Sequence, residues 1–143
     1  MGLGQEKNPV IIGLTGSFGS GCTYLARNVF EKHGYKRLSL SDVLKVEYDA
    51  QPGNTLDSCP RRALQDFGDS LREKHGRDYL AKRISDQIDN AIAANEGDKW
   101  VVDSIRNPAE IHEFRRYKGF FLFGVYAEQD LRWERGDIVK CCG

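Results

Sequence analysis

The chain has 143 residues, 40% apolar and 29% charged, and its 21 lysines and arginines balance 21 aspartates and glutamates. That length suits one domain, residues 1–143, able to bury about two-thirds of its unfolded surface. Zero net charge offers no bulk field for nucleic acid or an anionic membrane.

No apolar run approaches a membrane span. Residues 1–6 lack the basic and apolar regions of a signal peptide, and Glu6 spoils a myristoylation pattern, so a cytoplasmic protein is expected. Taken in order, Val10-Ile11-Ile12 reads as a short strand feeding Gly13-Leu14-Thr15-Gly16-Ser17-Phe18-Gly19-Ser20-Gly21-Cys22-Thr23. A helix follows from Thr23 to His33, with Leu25, Ala26, Val29 and Phe30 as its apolar stripe and Gly34 as its stop. Residues Tyr35 to Leu40 alternate as a second strand, after which Ser41 or Asp42 can cap a helix to about Tyr48. Gln51 to Cys59 reads as a loop. Pro60 opens a helix to His75 carrying Leu64, Phe67 and Leu71 on one face. Asp78 caps the next, whose stripe of Leu80, Ala81, Ile84, Ile88, Ala91 and Ile92 runs up to Asn95.

Trp100-Val101-Val102-Asp103 is apolar until its last residue, as befits a buried parallel strand. Asn107-Pro108-Ala109-Glu110 then carries a cap, a proline at the first helical position and a glutamate three after the cap. That helix bears Ile111 and Phe114 and extends toward Tyr117. Phe120 to Ala127 forms a fourth strand, Gln129 to about Glu134 a helical turn, and residues 136–143 carry no clear signal. Strands alternating with helices at crossover spacing predict an α/β domain with a mostly parallel sheet. Ligands in such sheets bind beyond the carboxyl ends of the strands. Three of the four ends here are polar: the Gly16 loop, Ser39 to Asp42, and Asp103 to Arg106.

Strand, glycine-rich turn and helix is the context of a phosphate-binding loop. Gly16, Ser17, Phe18, Gly19, Ser20, Gly21, Cys22 and Thr23 match G-x-x-x-x-G-K-[ST] except that Cys22 stands at the lysine position. Glycines let successive amides point at an anion, and the helix start adds free N–H groups and a positive dipole end. A unit charge about 4 Å from a phosphate oxygen, at an effective dielectric of about 20, is worth roughly 4 kcal/mol. At about 1.4 kcal/mol per decade, losing the lysine weakens phosphate stabilisation by up to about a thousandfold unless Arg72 or Arg106 compensates. Binding on backbone amides survives this loss more readily than fast transfer. Asp103 and the Thr23 hydroxyl are candidates for a magnesium ion. Arg106 either points from the Asp103 turn toward the pocket or makes a surface salt bridge, and Arg72 either clamps a second phosphate or a base or is a solvated helix arginine. Ser41 and Asp42 either bind a substrate sugar or base or cap a helix.

Four cysteines, Cys22, Cys59, Cys141 and Cys142, form no C-x-x-C pair, and no histidine stands at ligand spacing, so no zinc site is expected. His33, His75 and His112 read as solvated or structural, and Trp100 and Tyr117 as packing residues rather than base-stacking ones.

Four segments together resemble the nucleoside-phosphate kinase branch of P-loop proteins. They are the Gly13 to Thr23 stretch, Ser39-Leu40-Ser41-Asp42-Val43-Leu44-Lys45, the Leu64-Gln65 to Leu71-Arg72 stretch, and Val102-Asp103-Ser104-Ile105-Arg106-Asn107-Pro108 with Glu110. That branch includes the dephospho-coenzyme A, dNMP and adenylate kinase-like enzymes and the P-loop domain of deoxycytidylate deaminase-related proteins, whose degraded lysine position this chain resembles best. The resemblance implies a three-layer α/β/α P-loop NTPase fold. It implies ATP or another (d)NTP on Gly16 to Thr23, magnesium nearby, an acceptor nucleotide facing Ser41, Asp42 and Arg72, and Asp103 and Arg106 lining the centre. Lys45 stands where these kinases place an acceptor-binding arginine. The family's arginine-bearing lid and fifth strand have no counterpart before Gly143, and the zinc deaminase motif is absent. A nucleotide-holding domain with weak or no transfer is therefore expected, with an active nucleotide or dephospho-coenzyme A kinase and a pure interaction module as alternatives. Both a homo-oligomer and a fused or partner domain fit this reading.

Overall fold

The computed structural model describes residues 8–17, 19–53, 61–132 and 134. Its centre is the strand β1 (Val10–Gly16), paired in parallel with β3 (Lys99–Ile105) on one side and β4 (Gly119–Val125) on the other. The short β2 (Lys36–Ser39) adds in parallel to the outer edge of β3, giving the order β2-β3-β1-β4. Crossover helices connect the parallel strands, as parallel pairing requires. Helix α1 (residues 22–33) opens with an α turn (Cys22–Leu25), widens to a π turn (Ala26–Phe30) and tightens to a 3-10 turn (Glu31–His33). On the chain run α2 (Leu40–Asp49), α3 (Arg61–His75), α4 (Tyr79–Ala93) and α5 (Pro108–Phe114), and residues 129–132 make a last helical turn.

Strand alternation divides the core into two layers. Ile12, Leu14 and Val101 face Ala26 of α1, with Leu25 and Phe30 half-buried beside them. Ile11, Trp100, Val102 and Ile105 face the opposite way, onto Leu40, Leu80, Ile84, Ile88 and Phe114. Leu64, Phe67 and Leu71 of α3 pack half-buried against this second layer. One helix above the sheet and four below make the three-layer α/β/α arrangement expected of a P-loop fold. Trp100 and Tyr117 are 2% and 9% exposed, which makes both core residues as expected. No helix among the described residues is long and apolar enough to cross a membrane.

Local chemistry set most boundaries. Gly34 closes α1 in the left-handed conformation (φ 87°), with Tyr35 N–H donating to the Phe30 carbonyl. Asn107 and Glu110 form the expected capping box, with Pro108 at the first helical position. Other expectations are corrected. The cap of α2 is Ser39, the last residue of β2, so Ser41 and Asp42 fall inside the first turn and cap nothing. Asp78 precedes α4 without a side-chain capping bond and instead pairs with Lys82 one turn on. Helix α5 ends at Phe114, three residues short of Tyr117. Strands β1 and β3 run longer than their apolar cores because parallel pairing, indifferent to side-chain polarity, carries them to Gly16 and Ile105. Pro60, Cys59, Cys141 and Cys142 lie outside the described residues.

Tyr117 bolts α4 to the end of α5: its hydroxyl donates to Asp89 Oδ1 at 2.6 Å, accepts from Arg116 Nη2 at 2.8 Å and lies 3.1 Å from the Ser85 carbonyl oxygen. Burial, and then the Asp89 carboxylate, push its pKa well above the usual tyrosine value. Above pH about 10 the unfolded tyrosine gives up its proton while the folded one keeps it, so the unfolded state binds fewer protons and stability falls. Denaturant titrations should show this contribution intact below pH about 10 and declining above it at up to about 1.4 kcal/mol per pH unit. Tyr117→Phe should flatten the decline; an unaltered slope would place the titration elsewhere. Asn107→Ala should cost about 1 kcal/mol of unfolding free energy through loss of the cap, and no loss in a denaturant melt would show the cap to be idle.

Candidate phosphate-binding site

The glycine loop leaves the carboxyl end of the central strand and turns directly into α1. Ser20 N–H donates to the Ser17 carbonyl at 3.0 Å, tightening the turn. Gly19 (φ 78°) and Gly21 (φ 109°) take the left-handed backbone that side chains disfavour. Gly21 caps the helix with no side-chain bond, so the first N–H groups of α1, from Cys22 onward, have no intrahelical acceptor. Ser17 and Thr23 are exposed. A Cβ on Gly16 would collide with Ser20 Oγ and the Val125 carbonyl, which explains a glycine there. Gly19 lies against the backbone of Arg132, so the helical turn at 129–132 packs on the loop. Phe18 lies outside the described residues.

Cys22 turns inward. Its Sγ is 3.6 Å from Ser20 Oγ and packs against the Ile12–Leu14–Ala26–Val101 cluster. A lysine here would project a cation on a four-carbon stem; the thiol instead completes the apolar layer beneath the loop.

At the end of β3 the register slips. Gly13 pairs with Val102 and Thr15 with Ile105, so two steps of β1 face three of β3. The bulge holds Asp103, fully buried, and Ser104 at φ 65°, a strained conformation for a residue with a side chain. Thr15 Oγ1 donates to the Ile105 carbonyl at 2.9 Å and braces the bulge. Asp103 Oδ2 accepts from Arg37 Nε at 2.8 Å and Oδ1 from Ser104 Oγ at 3.2 Å. Arg37 also reaches Asp42 at 3.2 Å. The Asp103 carboxylate is thus already charge-paired, with Arg37 rather than with a neighbouring loop group. Arg37 was not legible as a site residue, because a basic residue on a short strand beside lysine reads as solvated.

Arg106 is the predicted residue that does meet the loop: its Nη1 donates to the Gly16 carbonyl at 3.4 Å. Arg72 does not join it. Its Nε and Nη2 donate to Glu110 Oε1 at 3.1 and 3.0 Å. Glu110 is fully buried, and its Oε2 accepts the backbone N–H groups of Arg106 (2.7 Å) and Asn107 (3.2 Å). Arg61, at the start of α3, has its pKa held below the usual arginine value by burial first and by the charge of Arg106 second. Neither Glu110 nor Arg61 announced itself as more than a capping or surface residue.

Asp42 is exposed apart from its pairing with Arg37, while Ser41 and Lys45 are half-buried along α2. Arg37, Ser39, Asp42, Val46 and Arg83 line a groove of about 240 Å³ along the outer edge of β2; Ser41 and Lys45 do not line it. His33 Nδ1 lies 2.6 Å from the Val29 carbonyl and His75 stacks on Tyr79, structural settings as expected. Among the described residues no three histidine, cysteine, aspartate or glutamate side chains group as a metal cluster. Magnesium favours oxygen donors and keeps its waters; the exposed Thr23 hydroxyl is such a donor, whereas the fully buried Asp103 carboxylate is taken up by Arg37 and Ser104.

No protein-family model matches the chain. A UPF0200 protein of Sulfurisphaera tokodaii is 33% identical over 129 residues, covering 87% of this chain and 63% of the relative. A UPF0200 protein of Methanothermobacter thermautotrophicus is 27% identical over 132 residues, covering 90% of this chain and 60% of the relative. The chain therefore spans less than two-thirds of the length of these archaeal relatives. Among solved structures, TT1252 from Thermus thermophilus superposes with a TM-score of 0.54 at 25% identity, covering 90% of this chain and 71% of that one. The mostly parallel β2-β3-β1-β4 sheet, its flanking helices and the glycine-rich loop after β1 give the chain an α/β fold that it shares with TT1252.

Proposed function

We propose that this domain binds the phosphate chain of a (d)NTP on the Gly16 to Thr23 loop and holds it with weak or no transfer. The observation that carries the reading is the loop itself: a tight turn at the carboxyl end of the central strand, with Gly19 and Gly21 in left-handed conformations, opening onto the free amides of α1. Magnesium would be held at the Thr23 hydroxyl and would offset phosphate charge. An acceptor or regulatory nucleotide would lie toward Ser41, Asp42 and Lys45 on α2. Slow chemistry follows from Cys22, whose thiol is spent on packing and carries no charge to the terminal phosphates. A nucleotide-sensing role beside a deaminase-related partner is the specific form of this reading that the lost lysine favours. An active small-molecule kinase is the second reading, favoured by the placement of Arg106 at Gly16.

Calorimetry with ATP, dATP and dCTP, each with magnesium, should give saturable heat, and a coupled assay over nucleotide and dephospho-coenzyme A acceptors should give turnover well below about 1 per second. Turnover within the usual kinase range of about 1 to 100 per second would replace this reading with the active kinase, and absence of both heat and thermal shift would leave an interaction module. Cys22→Lys should tighten triphosphate binding, by up to about a thousandfold on the Coulomb bound. Unchanged affinity would mean that the loop does not grip terminal phosphates.

A further inference from the structure

The loop lacks its own cation, yet a guanidinium stands at its mouth. Arg106 follows the bulge of β3, and its Nη1 lies 3.4 Å from the Gly16 carbonyl, the first residue of the loop. Its backbone is fixed from beneath. The fully buried Glu110 carboxylate accepts the Arg106 and Asn107 amides through one oxygen and two nitrogens of the Arg72 guanidinium through the other. Such a carboxylate can be buried only because every partner is in place, so the turn that carries Arg106 has one arrangement. Arg72, spent on Glu110, has little left to offer a ligand.

We propose that Arg106 supplies to a bound phosphate chain the positive charge that the loop gave up at Cys22, with Glu110, braced by Arg72, as the positioning residue. The cation would stand at the neighbouring strand end instead of on the loop. This inference rests on the phosphate-binding reading above and assigns the charge within it. The ligand it selects is a polyphosphate, since an arginine fork at the loop rim adds to the amides only where further oxyanions extend past them.

The test is calorimetric titration of the chain with inorganic triphosphate and magnesium at fixed salt, with thermal melts to check folding. Arg106→Ala should weaken binding about tenfold or more, the order expected for one charge-assisted hydrogen bond. Cys22→Lys placed in that background should restore affinity at least to that of the unaltered chain, and Arg106→Lys should retain part of it. Glu110→Gln should weaken binding severalfold when Arg106 is present and not at all when it is Ala, which a merely structural glutamate would not do. Should Glu110→Gln fail to fold, the Cys22 and Arg106 cycle decides alone. Binding by the unaltered chain that Arg106→Ala leaves intact, or a Cys22→Lys that rescues nothing, overturns this inference only. An unaltered chain that does not bind triphosphate overturns the phosphate reading and this one with it.

Discussion

The constraint on which the rest depends is the position of β1 between two parallel partners. Paired on both edges, it cannot slip without breaking two ladders at once, and its register sends Gly16 to the same edge as Ser39, Ile105 and Val125. Parallel strands bring their carboxyl ends together. The glycine loop, the Asp103 bulge and the Arg106 turn are neighbours for that reason, although as many as 90 residues separate them in sequence.

Buried charge follows from this crowding. Asp103 and Glu110 are both fully buried, and each meets an arginine on one side and hydroxyl or backbone donors on the other. Among the described residues no buried side-chain polar atom lacks a partner. The two carboxylates therefore act as anchors: Asp103 ties β3 to β2 through Arg37, and Glu110 ties α5 to α3 through Arg72. Breaking either pair would strand a charge in a low-dielectric interior, which is far more costly than the pair's net worth. The polar end of the sheet is consequently organised before any ligand arrives.

The loop shows the opposite economy. At Cys22 a long cation is replaced by a small thiol that joins the apolar layer under α1. The backbone geometry that gathers amides is retained through Gly19 and Gly21, because it depends on left-handed turns and not on the lysine. Binding by amides and transfer assisted by a cation are separable properties, and the loop proposed as the phosphate site has the geometry for the first.

The sequence alone determined the alternation of elements, because its apolar stripes repeat at the helical period and glycine or polar stretches separate them. It determined the glycine loop and the Asn107–Glu110 capping box as well, since both are local: every group involved lies within a few residues of its partner. Tertiary structure decided the rest. That Arg72 serves Glu110, that Asp103 belongs to Arg37, that Ser39 rather than Ser41 opens α2, and that Arg106 alone of the predicted arginines reaches the loop all depend on contacts between distant elements. No periodicity records such contacts, because a charged side chain looks the same in sequence whether it faces water or a buried partner until the sheet brings that partner to it.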